Sequence, residues 1–293
     1  MTLEQLRIFV SVAERQHMTA ASQALHLSQS AVSSAIAALE NRYGVKLFHR
    51  VGRGICLSEA GQLFLEEARS ILRRAETAEI MLSEMGGLKR GTLRLVASQT
   101  IASYWLPPQL LAFRKRYRLL NLDVAIGNTE QAALQVEQGN VDLGFVEGAV
   151  DHPSLAHWPI GQDHLLLVRS APFPEKAIDA DYLRSACWVV REKGSGTRST
   201  FDQFLRLYGV DPDSLKTVLV LPSNESVRTA VEAGAGISAL SSFVVTPAIM
   251  AGSLYAADLE LMPRPFFALR HKERYRSKAA DAFLDLIGEI LPK

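Results

Sequence analysis

Four short segments rich in hydroxyl and amide side chains each follow a predicted β-strand. Hydroxyl groups, side-chain amides and the free N–H groups at the start of a helix all donate hydrogen bonds to anions. These segments therefore predict a site for a small anionic molecule, although an ordinary turn or helix cap explains any one of them alone. The candidate ligand-contacting residues are Ser98, Gln99, Thr100, Asn128, Thr129, Gly196, Thr197, Arg198, Ser223 and Asn224.

The segment at residues 194–198 has the most specific composition of the four. It reads GSGTR, so its glycines expose backbone N–H groups and Arg198 adds a planar fork of donors. Glu147 ends another predicted strand and is expected to face a cationic or hydroxyl group of the same ligand. Ligands of open α/β sheets lie beyond the carboxyl ends of the strands, so we expect these segments to converge on one site.

Residues 28–43 carry a different kind of surface. Apolar residues recur there at helical spacing, and the opposite side carries Ser30, Ser33 and Ser34. A small, uncharged, hydrogen-bonding face suits the major groove of double-stranded DNA, which admits one helix, and Gln29 is placed to reach a base or a phosphate. Packing on another helix of the same protein is the alternative for this stretch taken by itself.

Motifs of catalytic and metal sites are missing from the sequence. There is no G-x-S-x-G elbow, no H-E-x-x-H and no P-loop, and His152, His157 and His164 do not have the spacing of zinc ligands. The glycines that begin at Gly234 imitate a dinucleotide fingerprint but follow a helix-like segment instead of a strand. We therefore expect no enzyme activity, no metal and no cofactor, although an α/β enzyme and a solute-binding protein remain the alternatives.

Length and composition describe an ordinary folded protein. The chain has 293 residues, which predicts two domains at about 150 residues each. Its content of 48% hydrophobic and 22% charged residues is typical of globular proteins, so long disordered tracts are not expected. The net charge of +1 neither favours nor excludes a polyanionic partner, because a local basic patch can exist within a balanced total.

The cysteines and the N-terminal residues indicate the compartment. Cys56 and Cys187 are far apart and lack metal-ligand neighbours, which is typical of packed thiols in a reducing environment. Glu4 and Arg7 interrupt the apolar run that a secretory signal requires. No run of about 18 uncharged apolar residues occurs. We expect a cytoplasmic protein without a membrane partner.

Three predicted helices and a hairpin surround the serine face. An amphipathic helix over residues 2–15 is followed by a short helix from Thr19, its expected N-cap, to Leu25. Ser28 is the expected N-cap of the third helix, which Gly44 ends. This spacing predicts a helix-turn-helix unit. The following glycine-bearing hairpin is expected to act as a wing, and the cations expected to contact phosphates are Lys46, Arg50 and Arg53.

A long helix is predicted over residues 59–85. Its apolar residues are spaced alternately by four and three, the period of 3.5 that is typical of a coiled coil. Pairing of two such helices would join two helix-turn-helix units. The resulting pair would match two DNA half-sites related by dyad symmetry. A helix that lies on its own domain is the alternative. The predicted seam consists of Phe64, Ala68, Ile71, Ala75, Ala78, Leu82 and Met85.

The motif AASQALHLSQSAVSSAIAALENRYGVKLFHR, followed by LSEAGQLFLEEA, resembles the N-terminal domain of the LysR-type transcriptional regulators. The alternation of strands and helices after Gly91 fits their effector-binding part, so the resemblance covers essentially the whole chain. It implies an α/β protein with an all-α N-terminal winged helix-turn-helix, a long linker helix and two lobes like those of periplasmic binding proteins. It also implies a homo-oligomer, a dimer or tetramer, that binds interrupted inverted repeats in DNA and responds to a small molecule, with RNA polymerase as a further candidate partner.

The resemblance implies domain limits. Residues 1–60 would bind DNA, residues 61–90 would form the linker and dimerisation helix, and residues 91–293 would bind the effector. Lobe I would comprise residues 91–161 and 266–293, and lobe II residues 162–265, with crossing strands at 161–168 and 262–269. A solute-binding protein would account for residues 92–293 alone, and it does not explain residues 1–60 or the missing export signal.

The motif EKGSGTR is similar to the corresponding sequence of relatives that regulate sulfur assimilation and carbon dioxide fixation. This likeness implies a small oxyanion, or a phosphorylated or carboxylated metabolite, as the effector, with sulfite and sulfate among the candidates. Many relatives carry Pro where Ser30 stands and a long polar residue near Ser34. Operator recognition is therefore expected to depend more on Gln29, on DNA shape and on the wing.

Overall fold

The computed structural model describes residues 1–52, 54–85, 91–148, 150–174, 178–259 and 261–290, without the side chains of residues 83–85. The chain forms two compact units that divide after Met85. Three sequence predictions lie outside the described residues: the role of Arg53, the side chain of Met85 and the linker at 86–90.

Helices open the N-terminal unit: α1 (Leu3–Arg15), α2 (Met18–Ala24) and α3 (Gln29–Tyr43). The predicted ends of α3 are confirmed, because Ser28 Oγ accepts a hydrogen bond from the N–H of Ala31 at 3.2 Å and Gly44 adopts a φ of +67°. The predicted start of α2 is wrong. His17 has an extended backbone and its Nδ1 accepts from the N–H of Ala20, so Thr19 lies inside the helix.

The core of this unit joins the helices to the hairpin. Strands β1 (Phe48–Val51) and β2 (Gly54–Leu57) pair antiparallel, and α4 (Glu59–Met85) follows. The buried ring of Phe9 in α1 has its centroid 5.5 Å from that of Phe48 and 4.8 Å from that of Phe64. Burying a side chain of this size contributes about 1.5–3 kcal/mol, so this contact fixes the start of α4 on α1.

The second unit begins with a parallel sheet. Strand β3 pairs with β4 on one side and with β5 on the other, and all three point their carboxyl ends toward the same edge. Phe113, Phe145 and Phe283 meet in the core beside this sheet, with the Phe283 ring perpendicular to both others. The elements are β3 (Gly91–Ser98), a π-helical turn (Ile101–Trp105), α5 (Leu106–Arg116), β4 (Leu120–Gly127), α6 (Thr129–Gln138) and β5 (Leu143–Glu147).

A second group of strands and helices follows the long strand β6. Strand β7 pairs in parallel with β8, and Trp188, Phe201 and Phe204 form a separate core there. The elements are β6 (Leu155–Arg169), α7 (Ala180–Ser185), β7 (Cys187–Arg191), α8 (Gly196–Leu207), a 3-10 turn (Pro212–Ser214), β8 (Lys216–Leu221), α9 (Asn224–Glu232), β9 (Ser238–Ser241), α10 (Ser242–Met250), β10 (Tyr255–Ala256), β11 (Pro263–His271) and α11 (Lys278–Ile290).

Two strands connect these groups. Strand β11 pairs with β5 and with β6, and β6 continues to pair with β9 and β10. We call the group of β3, α5, β4, α6, β5 and α11 the first lobe, and the group from α7 to α10 the second lobe. The segments 161–168 and 262–269 lie in or overlap β6 and β11. All four of these pairs are antiparallel.

Some elements were not predicted from the sequence. The alternation of strands and helices after Gly91 did not identify the helices α7 and α10. The apolar strand β8 lies at an edge with most of its residues exposed. No helix in the described part of the chain is long and apolar enough to cross a bilayer.

Candidate functional site

The serine face of α3 points away from the protein core. Val32, Ile36 and Leu39 are at most 3% exposed and hold the opposite side of the helix against the N-terminal unit. Within that unit no described group covers the serine face. Its exposed residues are Gln29, Ser30, Ser33, Ser34 and Ala37. The serine face therefore does not pack on another helix of the N-terminal unit, which was the alternative left open by the sequence.

The cations of the wing differ in their availability. Lys46 Nζ lies 2.7 Å from Glu40 Oε2, and the other oxygen of Glu40 accepts the N–H groups of Leu47 and Phe48. Burial raises the pKa of the Glu40 carboxyl, but the hydrogen bonds and the charge of Lys46 lower it more, so the pKa lies below its ordinary value. Lys46 is thus neutralised by an ionised partner, whereas Arg50 is exposed on β1.

Helix α4 corrects the first part of the predicted seam. Ala68 is completely buried in the core of its own unit, and Phe64 packs there against Phe9. Ala68 therefore has no surface to offer a second chain. The next seam residue, Ile71, is 36% exposed and Leu82 is 70% exposed. A seam made by Ile71, Ala75, Ala78 and Leu82 is compatible with the structure.

One group of predicted ligand residues meets where β3 and β8 end. Asn224 Nδ2 donates to Thr100 Oγ1 at 3.0 Å, and the N–H of Asn224 donates to Gln99 Oε1 at 2.7 Å. Thr100 and Asn224 are at most 1% exposed. Ser98 Oγ beside them is buried without a hydrogen-bond partner. The fifth member, Ser223, caps α9 by accepting from the N–H of Ser226.

A second group meets where α6 and α8 begin. A Cβ atom on Gly196 would lie 2.4 Å from the carbonyl oxygen of Glu147 and 2.6 Å from Thr129 Oγ1, so only glycine fits. Asn128 caps α6 by accepting from the N–H of Gln131 at 2.9 Å. The first turn of α8 therefore rests directly on the first lobe at Gly196.

The arginine predicted for this segment is paired along its own helix. Arg198 Nε donates to Asp202 Oδ1 at 2.8 Å, one turn further along α8. One donor of Arg198 is therefore used along α8, and the expectation that its guanidinium adds donors to the glycine loop stays a prediction. The i,i+4 spacing explains the pair with Asp202, because it places the two side chains side by side on the helix surface.

The sequence reading missed a buried charge cluster at the crossing strands. Arg264 is fully buried, and its Nε and Nη2 donate to Asp163 at 2.7 and 2.5 Å. Its Nη1 donates to Thr197 Oγ1 at 2.8 Å and lies 3.8 Å from Glu147 Oε1. The hydroxyl of Thr197 is thus a hydrogen-bond acceptor for Arg264 in this structure. Charged residues inside two apolar strand segments were the available signal.

The charge state of this cluster follows from its contacts. Burial lowers the pKa of the Arg264 guanidinium, but the carboxylates of Glu147 and Asp163 raise it more, and so Arg264 stays charged. Ser241 Oγ donates to Asp163 at 2.5 Å and completes the shell from the second lobe. Two carboxylates around one guanidinium leave no positive charge for an anion here.

A second missed pair lies near the first group of ligand residues. Arg191, at the end of β7, donates from Nε and Nη2 to the carboxylate of Glu192 at 2.8 and 3.0 Å. Its Nη1 donates to Asn224 Oδ1 at 2.5 Å. Among the described residues no cluster of three or more His, Cys, Asp or Glu side chains is arranged to hold a metal ion.

A winged helix-turn-helix unit followed by two α/β lobes joined by two crossing strands defines a DNA-binding regulator with a ligand-binding unit. Residues 3–62 match the family model described as bacterial regulatory helix-turn-helix protein, lysR family, and residues 86–292 match the LysR substrate binding domain. The chain belongs to the LysR family of transcriptional regulators. The members of this family are regulators and not enzymes, so the enzyme alternative is discarded.

Relatives span nearly the whole chain. The uncharacterised HTH-type transcriptional regulator YeiE of Escherichia coli (strain K12) is 33% identical over 97% of this chain and 96% of its own. The HTH-type transcriptional regulator CysL of Bacillus subtilis (strain 168) is 32% identical over 94% of this chain and 90% of its own. A probable RuBisCO transcriptional regulator of Trichormus variabilis is 31% identical over 100% and 88%.

Solved structures share the fold. CbnR, a LysR family transcriptional regulator, superposes with a TM-score of 0.73 at 22% identity over 100% of both chains. Full-length CbnR in complex with its target DNA superposes with a TM-score of 0.72 at 22% identity over 99% of both. The regulatory domain of CcmR from Synechocystis PCC6803, in complex with 2-PG, gives a TM-score of 0.62 at 24% identity over 69% of this chain and 97% of its own.

Proposed function

We propose that this LysR-family regulator binds dyad-symmetric operator DNA as a homo-oligomer and responds to a small anionic metabolite held between the two lobes. The division of labour is the one expected from the sequence: residues 1–60 read DNA, residues 61–90 join two chains and residues 91–293 sense the metabolite. RNA polymerase is the proposed partner that receives the change. The protein is proposed to act in the cytoplasm.

The exposed, uncharged face of α3 is the observation that carries the DNA-binding part. Ser30, Ser33 and Ser34 project from a helix whose other side is held in the core. Short side chains let the helix approach the floor of the major groove, where hydroxyl groups can donate to or accept from base edges. The full-length CbnR complex shows that a protein of this fold binds DNA.

Genome-wide mapping of bound DNA tests the proposed function. Cross-linking and sequencing from the native host should recover short sites with an interrupted inverted repeat upstream of a few genes. The neighbouring genes then indicate the class of metabolite. Recovery of DNA without any common repeat would contradict dyad-symmetric operator binding.

Arg50 and Lys46 provide a contrast within the wing. Neutralising a phosphate releases counterions, so losing one contact should reduce the slope of log K against log salt by about 1. We expect Arg50→Ala to show this reduction. Lys46→Ala should change the slope less, because the Lys46 ammonium is 2.7 Å from Glu40. Fluorescence anisotropy with one operator duplex over a salt series measures both, and equal slope changes would mean that Lys46 leaves Glu40 in the complex.

The proposed metabolite site lies where β3 and β8 end, and the contacts there support it. Thr100 of the first lobe accepts a hydrogen bond from Asn224 of the second, and both are buried. The unpartnered hydroxyl of Ser98 offers a further donor in the same place. Gly196 itself is in direct contact with the first lobe, so this glycine would position the lobes instead of touching the ligand. The 2-PG complex of the CcmR regulatory domain makes 2-PG a suitable probe.

Thr100→Ala is expected to weaken anion binding at least about tenfold, because a hydrogen bond to a charged group contributes about 1.5–3 kcal/mol. Titration calorimetry with sulfate, sulfite, phosphate and 2-PG measures the effect. Thr246→Ala is the matched control, since the Thr246 hydroxyl is exposed and bonds only within its own helix α10 in this structure. Heat that survives both Thr100→Ala and Thr197→Ala would place the pocket elsewhere.

The metabolite would act by changing how two dimers, or the two helix-turn-helix units of one dimer, are arranged on DNA. A ligand can do so only if it binds one arrangement more tightly than the other. Footprints and bend angles should therefore differ with and without the effector. Identical footprints and angles at saturating effector would contradict this part of the proposal.

A further inference from the structure

Arg191 is a buried guanidinium whose bidentate face is already occupied by a carboxylate. Its side chain is 4% exposed, and Glu192, the next residue, receives hydrogen bonds from Nε at 2.8 Å and Nη2 at 3.0 Å. Paired, nearly parallel N–H···O bonds of this kind are the usual way in which arginine binds carboxylate and phosphate groups. The geometry of a bound oxyanion is thus present with a side chain of the protein in its place.

The pair lies between the two lobes. Arg191 Nη1 donates to Asn224 Oδ1, and the amide of Asn224 donates in turn to Thr100 Oγ1 in the first lobe. Glu192 Oε1 also receives a hydrogen bond of 3.3 Å from Asn128 Nδ2, which belongs to the first lobe as well. The guanidinium therefore connects to the hydroxyl and amide groups at the ends of β3, β4 and β8.

We infer that Arg191 receives the oxyanion of the effector and that Glu192 is a built-in competitor, which holds the guanidinium while no effector is bound. This inference rests on the proposed function and specifies its ligand class. The ligand would be a small molecule with a carboxylate, phosphate or sulfate group that presents two oxygens to one arginine. An uncharged metabolite would leave the Glu192–Arg191 pair in place.

The two partners differ in their freedom to move. Arg191 is buried, so its positive charge must keep an anionic partner. Removing that partner without a replacement anion is strongly unfavourable. The side chain of Glu192 is 25% exposed and can turn toward water. Burial raises the pKa of Glu192, but the hydrogen bonds and charge of Arg191 lower it more, so the competitor is ionised at neutral pH. An incoming oxyanion would therefore exchange with a carboxylate of the same charge.

The other arginines near the predicted ligand residues are less suited to exchange. Both carboxylates around Arg264 are at most 3% exposed, so neither has a path to water without opening the core. Arg198 pairs with Asp202 along α8 and does not contact Thr100 or Asn224 in this structure. Arg191 combines burial, a displaceable partner and a link to both lobes.

Glu192→Gln tests the inference without the natural effector. The variant removes the competing charge and leaves a side chain of the same shape, so inorganic sulfate should bind at least tenfold more tightly than to the unmodified protein in titration calorimetry. Glu130→Gln is the matched control, because Glu130 is a neighbouring exposed carboxylate and removes the same charge from the region. Glu130→Gln should leave sulfate affinity within about twofold, which separates competition from general charge repulsion.

A second substitution locates the bound anion. Arg191→Lys in the Glu192→Gln background should abolish the gain, because an ammonium group cannot form the two-bond fork. Glu192→Ala should give the same gain as Glu192→Gln, and thermal melts report whether each variant folds.

An equal affinity of Glu192→Gln and unmodified protein for sulfate, no sulfate binding by either, or a gain that persists after Arg191→Lys would each overturn the inference. Loss of 2-PG or sulfite binding in Thr100→Ala would still support the proposed metabolite site in those cases. The two proposals can therefore fail separately.

Discussion

Replacing Leu82 by Asp should abolish binding to a two-half-site operator while each chain stays folded. Leu82 is 70% exposed in the single chain, so the substitution costs little internal packing. In a paired seam the same carboxylate would be buried against apolar residues of the second chain, which is strongly unfavourable. The double variant Ile71→Asp and Leu82→Asp should behave as a monomer. We expect operator affinity to fall by at least about 100-fold, or about 2.7 kcal/mol.

Thr77→Asp is the matched control for this prediction. It adds the same charge to α4 off the predicted seam, where Thr77 Oγ1 donates only to the carbonyl oxygen of Arg73 in this structure. Sedimentation or light scattering should give the unmodified mass for Thr77→Asp and half of it or less for the Ile71→Asp and Leu82→Asp variant. Unchanged mass and affinity in the double variant would refute the assignment of the seam to Ile71–Leu82.

Ser33→Asp should weaken operator binding by at least about 100-fold. The Ser33 side chain is exposed on α3, so an aspartate there does not disturb the core. In the major groove it would lie between two phosphate backbones, and like charges at an interface cost several kcal/mol. Ser33→Ala should cost far less, because it removes at most one or two hydrogen bonds.

Gln62→Glu controls for the added charge. Gln62 is exposed on α4 within the same unit, so the net charge changes equally without placing a carboxylate on α3. Gel shift or anisotropy with the mapped operator should show near-normal affinity for Gln62→Glu and Ser33→Ala. If Ser33→Asp bound DNA as well as Ser33→Ala, α3 would not be the reading helix.

Local sequence signals predicted the DNA-binding unit in detail. Ser28 and Gly44 marked the ends of α3 because a cap depends on the few residues around it. The burial of Val32 and Ile36 on one side and the exposure of Ser33 on the other followed from helical spacing. His17 is the exception, since histidine is seldom a cap and only its backbone conformation reveals the role.

The seam of α4 shows where periodicity stops being informative. A repeat of 3.5 residues predicts one apolar stripe along the helix but not what covers it. In this chain α1 covers the stripe at Ala68, and the stripe becomes exposed from Ile71 onward. The alternative of a helix lying on its own domain applies at Ala68, and pairing of two chains from Ile71 onward stays a prediction.

The sequence by itself determined the family, the helix-turn-helix unit and the alternation of strands and helices after Gly91, because these depend on spacing and on short motifs. Only the tertiary structure decided which charges cancel. Arg264 and Asp163 are 101 positions apart, and Glu40 reaches Lys46 only because the chain reverses between α3 and β1. Arg191 also donates to Asn224, which lies 33 positions away in the sequence. Charge pairing acts through space over a few ångströms, and spacing along the chain does not carry that information.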